Sequence, residues 1–327
     1  MIDIVSVPFD LCGPHHGSRL GSLAMQLQNL REELRDIAIE TELAEVAPLD
    51  AALPGTRAEC DERAITVFQA TRSQVAKSIA NGRTPLVIGG DHSISIGSIS
   101  GALDVYGEGL AVLWIDAHMD LNTPDTTPSG NLHGMTLAAL TRLDPVVEEI
   151  RVAGSHRPWR HDVYELWPRL LELVPEQGLG LDRTAWLGLR DVDYGEVANL
   201  ERLPGSIAKT MQDIDTLGLV GVLTEIDLWL RSSGATALWV SFDVDVLDPV
   251  FAPGTGTAVR GGLSYREGHL VAETLATHFA DTACPYKLAG VDVVEVNPLR
   301  DRDNGTAKVA VEWVCSLFGK TIMNIRR

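Results

Sequence analysis

The chain has few cysteines and no long apolar run. Its four cysteines, Cys12, Cys60, Cys284 and Cys315, lie far apart without metal-ligand spacing, so reduced thiols are expected. No stretch approaches the apolar length of a membrane span, and the N-terminus lacks a basic region followed by an apolar signal core. We therefore expect a cytoplasmic protein without a membrane partner. Cys315 is predicted to pack on a helix.

Positively charged residues are also few. The chain has 27 Lys and Arg against 45 Asp and Glu, a formal net charge of −18. This balance argues against nucleic acid and anionic membrane surfaces as partners. Metal-site carboxylates account for part of the excess, and the remainder is expected to form a solubilising surface.

The pattern of apolar residues predicts an α/β fold. The 327 residues, 45% of them hydrophobic, suffice for one large core, and no linker or repeat divides the chain, so 1–327 is predicted to be a single domain. Strand-like runs alternate with helical stretches, for example at 22–39, 61–80 and 264–279. Such alternation is typical of βα units around a parallel sheet.

Potential metal ligands form three short clusters, each directly after a β-rich apolar run. The runs are 86–88, 111–115 and 237–242, and the ligands that follow are His92, Asp116, His118, Asp120, Asp243 and Asp245. Buried parallel strands place ligand sites at their carboxyl ends. In an extended backbone, alternate side chains within each cluster would also point to the same side.

The types of ligand indicate a pair of divalent ions. Four carboxylates and two imidazoles without a thiolate suit Mn²⁺ better than a structural zinc. The four negative charges would offset two divalent ions, which would acidify a bridging water for hydroxide attack. Any one cluster alone is equally consistent with a tight turn or a solvated loop. Their joint occurrence after three separate strands favours a two-metal site.

These motifs resemble those of the ureohydrolases, manganese enzymes that hydrolyse guanidino or amidino C–N bonds, and within them the arginases. The resemblance runs from the N-terminal strand at 2–8 to the Glu-Val-Asn-Pro segment at 295–298. It implies a three-layer α/β/α fold with a mainly parallel sheet, two Mn²⁺ per subunit, and trimers or hexamers. It also implies hydrolysis of L-arginine to L-ornithine and urea by a metal-bridging hydroxide.

The resemblance further implies roles for the metal ligands. Asp116 and Asp243 would bridge both ions. One ion would be completed by His92 and Asp120, and the other by His118 and Asp245.

Substrate contacts are implied in two segments. In the polar loop 122–134, the positions expected to bind the α-carboxylate of an amino acid, directly or through water, are Asn122, Thr127, Ser129 and Asn131. In the segment 188–196, Asp193 would approach the α-ammonium group, with Glu196 nearby. The Ser-Gly-Asn-Leu-His-Gly run favours arginine over agmatine. Read alone, the second segment is equally a charged loop with an internal Arg190–Asp pair.

Three residues carry the implied chemistry. Glu295 follows a buried-looking strand and would hold the guanidinium through paired, charge-assisted hydrogen bonds. Asp120 would pass a proton to the departing amine. His133 would relay protons, because an imidazole titrates near neutral pH.

Other functions remain open at this stage. N-hydroxyarginine or another guanidino acid would satisfy the same α-amino-acid contacts, and a non-catalytic metal- or arginine-binding homologue is a possibility of a different class. The chain also departs from the family pattern at Ser22, Met119 and Tyr194, and its segment 141–183 is longer than usual.

Overall fold

Eight parallel strands form the central sheet of the computed structural model, which describes residues 1–49, 56–145 and 160–323. The strands are β1 Ile2–Ser6, β2 Thr41–Glu45, β3 Thr84–Ile88, β4 Leu110–Ile115, β5 Thr184–Leu189, β6 Ile207–Thr210, β7 Ala237–Asp243 and β8 Lys287–Val294. Their order in the sheet is β2-β1-β3-β8-β7-β4-β5-β6, and every strand pairing is parallel. The predicted strand runs are therefore confirmed.

Helices connect the strands, as the alternating pattern predicts. Within the described ranges they are α1 Gly21–Leu27, α2 Leu30–Asp36, α3 Arg57–Ala80, α4 Ser95–Tyr106, α5 Thr136–Leu140, α6 Arg160–Leu173, α7 Tyr194–Leu200, α8 Met211–Ser233, α9 Tyr265–Ala280 and α10 Gly305–Leu317. The helical stretch predicted at 22–39 consists of two helices, α1 and α2. Asn29 adopts a left-handed conformation with φ 61°, which divides this stretch into α1 and α2.

The six inner strands bury both faces, whereas the edge strands β2 and β6 are partly exposed, and helices on both sides produce three layers. Along β4, Ala111, Leu113 and Ile115 belong to one apolar cluster, and Val112 and Trp114 to the other. The first cluster is covered by α1, α2, α8, α9 and α10, and the second by α3 to α7. The α/β/α architecture is therefore confirmed, and its core consists of two apolar layers separated by the sheet.

The order of the strands brings distant parts of the sequence together. The chain passes from β3 to β4, and only later returns to place β7 and β8 between them. The four strands at the centre, β3, β8, β7 and β4, are therefore neighbours. Every predicted metal-ligand cluster, and Glu295, follows one of these four strands.

Three smaller expectations concern the rest of the chain. All four cysteines, which lie in the described residues, are reduced thiols, and Cys315 is buried on α10, as predicted. The long segment 141–183 lies partly outside the described residues, at 146–159, while its described part includes α6. In the portion of the chain that the structure describes, no helix has both the length and the apolarity to cross a membrane.

Gly90, between β3 and the ligand His92, lies against the backbone of Phe9. A Cβ at this position would fall 1.4 Å from the Phe9 carbonyl oxygen, and the next amide, of Asp91, donates to that same oxygen at 3.0 Å. The site segment after β3 therefore depends on the absence of a side chain at residue 90.

Gly90→Ala is expected to lower the free energy of unfolding by about 3 kcal/mol or more, because backbone atoms would have to move. Guanidinium denaturation would measure this. Gly221→Ala in α8 is the matched control, since its Cβ would only touch Leu217 Cβ at 3.4 Å. We expect the control to be neutral or stabilising by up to about 1 kcal/mol. Equal stability of the two variants would contradict this account.

Candidate active site

The first ligand cluster surrounds His92, which follows β3. Its Nδ1 atom lies 2.9 Å from Asp116 Oδ2. The same nitrogen lies 3.2 Å from Asp120 Oδ2 and 3.2 Å from Asp243 Oδ2. All four side chains are buried. The ends of β3, β4 and β7 thus direct one nitrogen and three carboxylate oxygens to a common point.

The second cluster surrounds His118 and shares Asp116 with the first. His118 Nδ1 lies 3.3 Å from Asp116 Oδ1 and 3.1 Å from Asp245 Oδ2. Asp116 therefore offers one oxygen to each cluster, whereas Asp243 groups with His92. The six side chains predicted as ligands are thus brought together, and Asp116 lies between the two groups.

Turns, not extended backbone, arrange these ligands. The expectation of alternating side chains in extended clusters is wrong, because β4 ends at Ile115 and Asp120 has a left-handed φ of 51°. Asp245 lies in a 3-10 turn at Val244–Val246, where its amide donates to Asp243 Oδ1 at 2.8 Å. The His118 amide similarly donates to Asp116 Oδ1 at 2.7 Å. Short aspartate side chains favour such local hydrogen bonds.

The donor set fits divalent cations. His92 Nε2 lies 2.8 Å from Ser241 Oγ, while Nδ1 is buried and has no hydrogen-bond partner of good geometry. If Nε2 carries the proton, the Nδ1 lone pair faces the three carboxylates, as a metal ligand would. The His92 ring also stacks on Trp114, with ring centroids 3.9 Å apart, which fixes its orientation. Four carboxylates and two neutral imidazoles match two divalent ions in charge.

Electrostatics within the site favour the uptake of positive charge. Burial and repulsion by other carboxylates raise the pKa values of Asp120 and Asp243. Burial lowers the pKa of His92 and of His118, but their close contacts with the negatively charged aspartates outweigh it and raise both. The cluster thus attracts protons, and cations that bind here would displace them.

Glu295 lies at the end of β8 beside the first cluster. It is buried and adopts a left-handed φ of 62°, which is uncommon for a residue with a side chain. The amide of Glu295 donates to the Gly90 carbonyl at 2.8 Å, and its Oε1 accepts the His92 amide at 3.0 Å. Neither bond uses Oε2, so one carboxylate oxygen remains for a ligand.

His133, predicted for proton transfer, lies next to Glu295. Its Nδ1 is 3.3 Å from Glu295 Oε1. Burial alone would lower the pKa of His133, but the hydrogen bond and negative charge of Glu295, with Asp120 and Asp91 nearby, raise it to about 9. Cations bound at the six ligands would oppose this shift, because they compensate the carboxylate charge.

Sequence reasoning overlooked Asp91, the residue before His92. Its Oδ2 accepts the amides of Cys12 at 2.8 Å and Gly13 at 3.1 Å, so it attaches the N-terminal loop to the site. Burial and the charge of Glu295 raise its pKa to about 6. Its place in Gly-Gly-Asp-His is a signal for a role near the metal ligands, but that motif does not reveal which loop it holds.

The predicted carboxylate-binding loop is shaped by its own polar groups. Thr127 Oγ1 accepts the Gly130 amide at 3.0 Å, and Ser129 Oγ accepts the Asn131 amide at 3.1 Å. The Thr127 hydroxyl retains a proton that it can donate. Asn122 is buried and donates through Nδ2 to Asp193 Oδ2 at 2.9 Å. The two predicted substrate segments are therefore neighbours.

Glu196 connects the two predicted substrate segments to each other. Its Oε1 accepts the Leu121 amide at 3.0 Å and its Oε2 accepts the Asp193 amide at 2.9 Å. Burial raises its pKa to about 7. The predicted substrate contact of Glu196 stays a prediction, and the contacts of its two oxygens hold Leu121, next to Asp120, and Asp193 in place.

The architecture and sequence match known proteins over nearly the whole chain. The Arginase family model matches residues 1–319. An arginase of Staphylococcus aureus (strain MSSA476) is 36% identical over 330 residues, covering 98% of both chains. An arginase of Bacillus caldovelox is 35% identical over 333 residues, covering 98% of this chain and 99% of that one.

Solved structures agree with the sequence matches. The native B. caldovelox arginase structure has a TM-score of 0.82 and 32% identity, covering 98% of this chain and 99% of that one. A Bacillus subtilis arginase structure has a TM-score of 0.80 and 31% identity at the same coverage. The chain therefore belongs to the arginase family, and it is accordingly an enzyme of the ureohydrolase class.

Proposed function

We propose that this protein hydrolyses L-arginine to L-ornithine and urea with two Mn²⁺ per chain. The observation that carries the proposal is the meeting of two ligand groups that share Asp116, next to a buried Glu295. Membership of the arginase family and the names of its relatives support the same reaction.

The six clustered side chains would hold the two ions. His92, Asp116, Asp120 and Asp243 would hold one, and Asp116, His118, Asp243 and Asp245 the other. When bound, the ions supply an acidified water at neutral pH and compensate developing negative charge.

Glu295 would bind and orient the guanidinium. Its Oε1 is engaged by the His92 amide and His133, so Oε2 is the oxygen available to the substrate. A guanidinium between this carboxylate and the ligand groups would present its carbon to the site. Glu295 has a left-handed backbone, and its side chain contacts the His92 amide and His133 beside the first ligand group.

Asp120 and His133 would move the protons. Hydrolysis breaks the bond from the guanidinium carbon to the substrate chain nitrogen, and that nitrogen leaves as an amine that needs a proton. Asp120, a buried carboxylate within the first ligand group, would carry this proton from the attacking water. His133 lies half-buried at the rim and would exchange protons with solvent.

The remaining contacts would recognise the amino-acid end. The loop hydroxyls and amides at Asn122, Thr127, Ser129 and Asn131 would bind the α-carboxylate without adding charge. Asp193 is exposed at the start of α7, and its carboxylate is oriented by Asn122. It would bind the α-ammonium group.

Chelation of the Mn²⁺-loaded protein is expected to abolish urea release from L-arginine, and Mn²⁺ is expected to restore it. Agmatine lacks the α-carboxylate and 4-guanidinobutyrate lacks the α-ammonium, so both should be poorer substrates by kcat/KM. N-hydroxyarginine tests the alternative of a modified arginine. Activity that persists after complete removal of metal would contradict the proposal.

Asp120→Ala is expected to lose bound Mn²⁺ and activity together, because it removes a ligand and a proton carrier. His133→Ala should keep both ions and lower kcat by about 100-fold or more, the usual range for an acid–base residue. Metal content per chain after dialysis and steady-state kinetics would measure the two effects. Equal metal loss in both variants would overturn these roles.

Asp193→Asn should raise KM for L-arginine by about 10-fold, since it removes one charge-assisted contact of about 1.5 kcal/mol. KM for 4-guanidinobutyrate should stay unchanged, because that compound has no α-ammonium group. The asparagine keeps the size of the side chain and remains a good N-cap for α7. An equal rise in KM for both compounds would mean that Asp193 acts on the loop and not on the substrate.

A further inference from the structure

Arg190 follows β5 and reaches the turn that carries the ligand Asp245. Its Nη2 donates to the carbonyl oxygens of Asp245 at 2.5 Å and Val259 at 2.8 Å. Its Nη1 donates to the Val246 carbonyl at 3.2 Å and the Gly188 carbonyl at 3.3 Å. The internal Arg190–Asp pair allowed by the sequence is thus replaced by a set of contacts to backbone oxygens.

The backbone amides at residues 190 and 191 connect these contacts to the segment that follows β4. The amides of Arg190 and Asp191 both donate to the Ala117 carbonyl, at 2.9 and 3.1 Å. Ala117 lies between the ligands Asp116 and His118, and its own amide donates to Asp245 Oδ1 at 3.2 Å. Residue 190 therefore contacts the segments after β4 and β7 that supply every member of the second ligand group.

Gly262 packs closely against both Arg190 and this turn. A Cβ on Gly262 would fall 2.6 Å from Arg190 Nη2 and 2.6 Å from the Val246 carbonyl oxygen. The guanidinium therefore fills the space between the 245–247 turn and the segment 259–262. Asp193, the N-cap residue of α7, lies three residues after Arg190 in the same segment.

We propose that Arg190 is a positioning residue for the ion held by Asp116, His118 and Asp245, and for Asp193. This inference rests on the proposed two-metal function. A guanidinium has five N–H donors in a planar fork, so one side chain holds several carbonyl oxygens in fixed relative positions. A lysine ammonium at the same place keeps the charge but lacks that planar fork.

The first ligand group has its own, separate support. His92 Nε2 contacts Ser241 Oγ at 2.8 Å, and Ser241 Oγ lies 3.5 Å from Asp292 Oδ2. Asp292 also accepts the Ser95 hydroxyl at 2.7 Å and the Trp239 indole at 2.9 Å. The described contacts of Arg190 do not include His92 or Ser241. Ser241→Ala is therefore a matched control that disturbs the other ion.

The test compares Mn²⁺ binding to wild type, Arg190→Met, Arg190→Lys and Ser241→Ala by equilibrium dialysis over graded free Mn²⁺. Arg190→Met is expected to weaken one of the two ions by about 10- to 100-fold, the usual effect of removing a group that orients a ligand. Arg190→Lys should stay close to Arg190→Met in Mn²⁺ affinity. KM for L-arginine should rise in both variants.

Double variants assign the affected ion. Arg190→Met should cause no further loss of Mn²⁺ in a chain that already carries Asp245→Asn, because both changes act on one ion. Added to Ser241→Ala, it should weaken the second ion as well, because Ser241 and Arg190 contact different ligand segments. Thermal unfolding of the metal-free variants checks that each chain is folded.

Three results would overturn the inference. The first is wild-type affinity in Arg190→Lys, which would assign the effect to charge alone. The second is unchanged Mn²⁺ binding in Arg190→Met, and the third is equal weakening of both ions. If the wild-type protein does not bind two Mn²⁺ ions, the proposed function is refuted, and the inference with it. The two kinds of failure are distinguishable, because one is observed in the wild-type protein and the other only in the Arg190 variants.

Discussion

The structure around the site depends on the mutual repulsion of buried aspartates at the carboxyl ends of the central strands. Four aspartates are buried there, namely Asp116, Asp120, Asp243 and Asp245. Each has a carboxylate oxygen about a hydrogen-bond length from the imidazole of His92 or His118. Buried charge without compensation is very unfavourable, so such a group exists stably only with protons or cations among the carboxylates. The architecture around it supplies the hydrogen bonds that hold these side chains together against that repulsion.

Backbone geometry at two positions shows how closely the site is specified. Asp120 and Glu295 both adopt left-handed conformations, which cost about 1 kcal/mol or more for residues other than glycine. Hydrogen bonds from neighbouring segments fix each one: the Asp120 carbonyl accepts the Leu137 amide, and Glu295 bonds Gly90 and His92. The two proposed catalytic carboxylates are thus oriented by tertiary contacts, and not by their own strands.

The supports of the site lie outside its ligands. Asp91 attaches the N-terminal loop, Glu196 connects Leu121 with Asp193, and Arg190 holds the turn of Asp245. Each of these side chains bonds at least one backbone group from a segment distant in sequence. The pattern of residue types in a sequence identifies candidate metal ligands well, because ligand chemistry is specific. It does not reveal which backbone groups a supporting side chain will contact.

The sequence by itself determined the parallel α/β class, the strands β3, β4, β7 and β8, and the six clustered side chains predicted as ligands. Local apolar runs and ligand types carry that information over a few residues. Only the tertiary structure decided that alternate side chains converge through turns and not through extended backbone, that Asn29 divides the first helical stretch, and that Asp116 lies between both ligand groups. These features depend on left-handed residues and on contacts between distant segments, whose energies appear only when the strands are assembled.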